Sequence, residues 1–113
     1  ISMEMGAPID FSKASQATSG TSAIKEFTRQ LKKFEFEEPL EGSDDQLLYE
    51  PKGVCALITP WNWPISQVAL KVIPAIAAGC TMVLKPFELA PLDSMIFAEM
   101  LDEAGCPAGV FNL

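Results

Sequence analysis

Three short apolar runs, Gly53 to Ile58, Thr81 to Leu84 and Gly109 to Leu113, alternate with two segments of helical length, Pro64 to Ala78 and Ala90 to Ala104. Runs this short with β-branched members read as strands. Pro64 suits a first helical turn and Gly79 its stop, while Gly105 terminates the second segment. The order β, α, β, α, β with short connections predicts an α/β unit of parallel strands joined by right-handed crossovers. Strands that are apolar throughout need cover on both faces. Two helices cannot cover both faces of three strands, so the fold is expected to be incomplete, with more strands and a second helical layer supplied by a longer chain. The absence of Met at position 1, and a final apolar run that stops before any turn residue, point the same way. Within the first crossover segment Pro74 predicts a kink or an early break. Along the second, Leu92, Met95 or Ile96, and Met100 or Leu101 read as inward, with Glu99 outward.

Upstream, Phe11, Ala14, Ala17, Thr21, Ile24, Phe27, Leu31 and Phe34 recur at steps of three or four and predict one stripe of a long helix. Asp10 or Ser12 would cap it. Gly20 in its interior costs about 1 kcal/mol relative to Ala, so packing must supply the stability. Phe34 to Glu37 alternates at period two, Gln46 to Glu50 is a second strand-like run, and the loop from Pro39 to Asp45 is rich in turn residues. An acidic β-hairpin or a pair of edge strands is expected there. The organisation reads as residues 1–33 helical, 34–50 hairpin and 51–113 βαβαβ.

Charge and composition narrow the function. Eight Lys+Arg against 15 Asp+Glu leave a net charge of −7, and the first 50 residues carry −5 of it. An acidic surface repels phosphates, so nucleic acid and anionic membranes are not expected partners. No apolar run approaches the length of a spanning helix. Histidine is absent, which removes imidazole bases, Ser/His and Cys/His dyads and the HExxH zinc helix. Cys55, Cys80 and Cys106 form no CxxC pair, no metal site is expected, and none has a basic neighbour in sequence to activate it. Cys55 and Cys80 read as buried packing groups and Cys106 as more exposed. A reducing compartment, by default the cytoplasm, fits this cysteine usage.

In open parallel sheets ligands collect beyond the carboxyl ends of the strands. Thr59, Trp61 and Asn62 follow the first strand, and Lys85 and Glu88 the second. A rigid side-chain amide such as Asn62 can donate to an oxyanion without proton transfer. On residue type alone an Asn there caps the following helix more often. An acidic residue after the second strand can accept from both ribose hydroxyls of a dinucleotide and repel a 2′-phosphate, and an ammonium beside it can bind the same sugar. A Lys and a Glu three apart are also a common solvated pair. The G-x-G-x-x-G turn is missing; Pro60-Trp61-Asn62-Trp63-Pro64 stands in its place, so any pyrophosphate must be held elsewhere.

The stretch Pro60-Trp61-Asn62-Trp63-Pro64, the run Lys85-Pro86-Phe87-Glu88 and their framing segments GVCALITPWNWP and IPAIAAGCTMVLKPFELAP resemble the NAD(P)-dependent aldehyde dehydrogenase superfamily. The resemblance extends from EMGAPI near the start to AGCPAGVFNL at the end. It implies a parallel Rossmann-like sheet with crossover helices, preceded by a long helix and by the acidic hairpin of an oligomerisation region, and hence a homodimer or homotetramer. By the same resemblance Asn62 stabilises the thiohemiacetal oxyanion, Lys85 and Glu88 bind the adenosine ribose, and Ile58, Thr59, Pro60 and Trp61 line the nicotinamide side of the cleft. Phe87 and Trp63 depart from the commoner residues at their positions.

The implied activity is oxidation of an aldehyde to a carboxylic acid with NAD, NADP being possible, through a cysteine thiohemiacetal and thioester. None of the three cysteines matches the family nucleophile, so the chain alone is expected to be inactive. Two alternatives stay open: an NADP-linked semialdehyde or acyl-phosphate reductase, and a non-catalytic homologue of the fold.

Overall fold

Residues 1–113 are all described by the computed structural model. In chain order they form α1 (Ser2–Met5), α2 (Ile9–Phe11), a π-helical segment (Ser12–Gln16), α3 (Ala17–Leu31), β1 (Glu37–Pro39), β2 (Gln46–Leu48), β3 (Val54–Ile58), α4 (Pro64–Ala77), β4 (Thr81–Lys85), α5 (Leu92–Glu103) and β5 (Phe111–Asn112). Strands β3, β4 and β5 make one parallel sheet in that order, with Val54 beside Thr81, Ile58 beside Lys85 and Met82 beside Phe111. The expected βαβαβ unit is therefore present. The third strand is held in register by the Asn112 side-chain amide, which donates to the carbonyls of Met82 and Gly109, each at 3.0 Å.

The core lies on one side of this sheet. Met82 and Leu84 of β4 pack with Val68 and Val72 of α4 and Phe97 of α5, and Cys55, Leu57 and Phe111 join them. The opposite face is bare, with Val54, Ile58 and Val83 exposed by 75, 68 and 50%. Alternation along strands that read as uniformly apolar is thus a consequence of single-sided cover.

Helix α4 runs through Pro74 to Ala77, so of the kink or early break expected there the break does not occur. The proline sits in the last turn. The carbonyl it leaves without an intrahelical donor belongs to Leu70, an exposed residue within reach of water. Gly79, at φ 74°, then closes the helix with its N–H on Ile76 O at 2.9 Å. On α5 the inward residues are Ser94, Phe97 and the half-buried Leu101; Leu92, Met95, Ile96 and Met100 face solvent. Phe97, the bulkiest apolar side chain on that face, sets the rotation.

The N-terminal helix is rotated from its expected stripe. Phe11, Ile24, Leu31 and Phe34 are exposed by 38 to 49%, whereas Ser12, Gln16, Gly20 and Ala23 are buried. Neither Asp10 nor Ser12 caps it; Pro8 stands at the start without a side-chain cap. The buried residues are small or polar because α3 lies against α4. A Cβ on Gly20 would fall 2.9 Å from Ile65 Cγ1, so the residue that looked costly is the one that lets the helices meet. Gly20→Val is expected to destabilise the protein by about 1–3 kcal/mol by overpacking, read as a lower urea midpoint at unchanged slope. An unchanged midpoint would remove the close-contact argument.

β1 and β2 pair antiparallel as the expected hairpin, Glu37 beside Leu48 and Pro39 beside Gln46. The first strand starts later than the alternating run suggested. Phe34 packs edge-on against Phe36 and Tyr49, with centroids 4.8 and 5.3 Å apart, which draws the first half of that run out of the ladder.

Candidate functional site

The β3–β4 register decides where the polar residues go. Because Ile58 lies beside Lys85 and the Thr59 N–H donates to Lys85 O at 3.3 Å, both strands end at one edge of the sheet. Thr59 is buried, and Pro60, Trp61 and Asn62 emerge exposed. Helix α4 begins at Pro64 with Trp63 before it and no side-chain cap. Asn62 is therefore not a helix cap. Its backbone carbonyl accepts from Gln16 Nε2 at 3.4 Å, while its side-chain amide has no partner in the chain and faces outward from a turn braced by two prolines. Trp63 is held edge-on against Phe11, centroids 5.7 Å apart.

Lys85 closes β4 and Glu88 follows it in the loop. Their ion pair, Nζ to Oε2, is 3.1 Å long, with both side chains about two-thirds exposed at 63 and 69%. An exposed pair of this kind contributes little to stability. The Glu88 backbone N–H, and then the Lys85 ammonium, hold the Glu88 carboxyl below its ordinary value. The carboxylate and ammonium keep free hydrogen-bonding capacity side by side, the complement of two adjacent hydroxyls. Beside them Glu4, Met5, Trp61, Phe87, Leu89 and Ala90 line a cleft of about 290 Å³.

Two residues that sequence reasoning missed support this edge. Gln16, 1% exposed, receives a hydrogen bond from Ser12 and donates to Met5 Sδ at 3.1 Å as well as to the Asn62 carbonyl. The signal available for it was the spacing of Ser12, Gln16, Gly20 and Ala23, a face of small and polar residues suited to close packing. Glu4 accepts from Leu92 N at 2.6 Å and Asp93 N at 3.3 Å, capping α5 from 88 residues away. Nothing local announces that contact.

The cysteines lie elsewhere. Cys80 is buried, whereas Cys55, expected to be buried, and Cys106 are half-exposed. The Cys55 side chain points to the α4 face of a strand left open on its other side. Contact with the Cys80 thiol and then burial push its own thiol up, away from the nucleophilic thiolate. No cluster of three His, Cys, Asp or Glu suits a metal, and no helix is long and apolar enough to cross a membrane.

A parallel sheet fed by crossover helices, with polar residues gathered at its carboxyl edge, is a Rossmann-like α/β unit, the class of fold in which ligands collect at that edge. Residues 1–113 match the family model described as "Aldehyde dehydrogenase family". The chain belongs to the aldehyde dehydrogenase family. It is 49% identical to 3-succinoylsemialdehyde-pyridine dehydrogenase of a Pseudomonas species, over 100% of this chain and 24% of that protein. A crystal structure of aldehyde dehydrogenase from Bartonella henselae superimposes with a TM-score of 0.95 at 59% identity, over 99% of this chain and 24% of that one. A mutant of Aldehyde Dehydrogenase C from Pseudomonas syringae, crystallised with NAD+ and octanal, gives 0.89 at 49% identity, over 99% and 23%. The chain thus spans about a quarter of the length of these relatives.

Proposed function

We propose that this chain is the cofactor-binding part of an NAD-linked aldehyde dehydrogenase that oxidises an aldehyde to a carboxylic acid. The observation that carries the proposal is the shared edge: an uncommitted Asn62 amide after β3 and the Lys85–Glu88 pair after β4. Lys85 donates to, and Glu88 accepts from, the adenosine ribose hydroxyls, for which their paired and exposed geometry is suited. Ile58, Thr59, Pro60 and Trp61 wall the nicotinamide side. NAD, when bound, supplies the hydride acceptor. Asn62 donates its amide N–H to the oxygen of the carbonyl under attack, in a turn that reorganises little as charge develops. The attacking thiol comes from none of Cys55, Cys80 or Cys106, and so from chain beyond these residues. The β1–β2 ribbon, exposed throughout, reaches to a neighbouring copy in a homodimer or homotetramer, and the cysteine usage suits the cytoplasm.

The test uses the full-length enzyme with Glu88→Ala. Losing a charged hydrogen-bond acceptor is expected to raise the KM for NAD about 10- to 100-fold and to narrow the preference over NADP, with the aldehyde KM little changed. An unchanged NAD/NADP ratio would remove Glu88 from the ribose site, and a strong NADP preference in the unmodified enzyme would favour the reductase reading. The pH dependence has a definite sign. A depressed carboxyl keeps its charge above the ordinary glutamate value near 4.3, so NAD affinity due to Glu88 stays flat there and is lost only as pH falls through the lowered value. Isothermal titration from pH 8 downward reads it, and a loss of affinity already setting in between pH 6 and 5 would contradict the assignment.

A further inference from the structure

We infer that Glu4 is a positioning residue for the loop that carries Glu88, an inference that rests on the reading of Glu88 as a ribose ligand. Helix α5 starts after Pro91 with no side-chain cap of its own, leaving the N–H groups of its first turn to find partners. Both oxygens of Glu4 take that role, on Leu92 N at 2.6 Å and on Asp93 N at 3.3 Å. A carboxylate there also faces the positive end of the helix. Glu88 lies only four residues before Leu92, in a loop bounded by Pro86 and Pro91. One end of that loop is fixed by β4 and the other by Glu4. Met5, the next residue, receives Gln16 Nε2 at 3.1 Å, and Gln16 reaches the Asn62 carbonyl at 3.4 Å. The short N-terminal segment therefore spans from the start of α5 to the turn after β3, with Glu4 holding the Glu88 side and Gln16 independently holding the Asn62 side. Glu4 spends its carboxylate on backbone amides, so it acts through Glu88 and not on the ligand.

The experiment compares Glu4→Ala, Glu4→Gln and Glu88→Ala in the full-length enzyme. Amide exchange across residues 86–93, measured without NAD, is expected to speed up in Glu4→Ala, while the sheet strands keep their protection. The NAD dissociation constant, followed by titration, rises about fivefold, the fold-change that loss of a helix cap corresponds to. kcat and the aldehyde KM stay within about twofold, a change too small to count as lost binding or chemistry. Glu4→Gln, which keeps one acceptor for Leu92 N but loses the second and the charge, recovers part of the affinity and falls between Glu4→Ala and the unmodified enzyme. If Glu88→Ala weakens NAD and Glu4→Ala does not, the inference falls and the ribose assignment stands. If Glu88→Ala has no effect, both fall together. If Glu4→Ala impairs aldehyde KM, kcat and exchange throughout the chain as much as NAD binding, Glu4 is a general structural residue and the inference is overturned.

Discussion

Asn62→Ala in the full-length enzyme is expected to lower kcat by about 10²- to 10³-fold, the effect of removing one preorganised donor from an oxyanion site. The NAD affinity should change little, because the substitution leaves the Lys85–Glu88 pair and the backbone of residues 58–61 as they are and removes only the exposed Asn62 amide. The structure favours a large effect for a specific reason: Trp63 precedes α4 without any side-chain cap, so deleting the Asn62 amide removes no helix-capping bond. The Asn62 carbonyl, which Gln16 does hold, survives the substitution. Folding and chemistry are thereby separated. Asn62→Asp, nearly the same shape with an acceptor in place of a donor, should be at least as damaging. Steady-state kinetics with an NAD titration checks both variants, and a loss of kcat smaller than about tenfold would take Asn62 out of the oxyanion site.

The second large effect is on stability. Leu84 is 1% exposed and packs with Val68, Val72, Met82 and Phe97 immediately before Lys85. Leu84→Ala should cost about 2–5 kcal/mol, from lost transfer energy and the cavity left behind. Leu84→Met, which conserves volume, should cost less than about 1.5 kcal/mol. Urea denaturation of the full-length protein measures both, and near-equal midpoints for the two variants would mean that the site edge is not supported by this core.

What the sequence could and could not disclose follows from the range of each interaction. The strands, the crossover helices and the carboxyl-edge gathering of Asn62, Lys85 and Glu88 were legible because periodicity and turn residues are local, and parallel pairing then leaves one edge for the polar residues. The facing of the helices was not. On the N-terminal helix the apolar stripe from Phe11 to Phe34 lies at the margin of the contact with α4, since close approach at Gly20 puts the small and polar face at its centre. Phe11 rests on Trp63, Phe27 is half-buried, and Phe27, Leu31 and Phe34 lie beside Pro74 and Ala77. On α5 the rotation was set by Phe97, which the pattern of Leu, Met and Ile obscured. The long reach of Glu4 to Leu92 and of Gln16 to Asn62 leaves no imprint on neighbouring residues, so the supports of the site were invisible while its presented groups were not.

The 88-residue separation of Glu4 and Leu92 also orders assembly in time. Val54 must find Thr81 across only 27 positions, so β3, α4 and β4 can join while Glu4 is still unattached. Closing the longer span costs about 1 kcal/mol more in chain entropy than closing the shorter one. On a nascent chain the β3–β4 pair is free to form before the amino-terminal latch, which must wait for Leu92, while Phe111 of β5 emerges later still and joins the sheet after both.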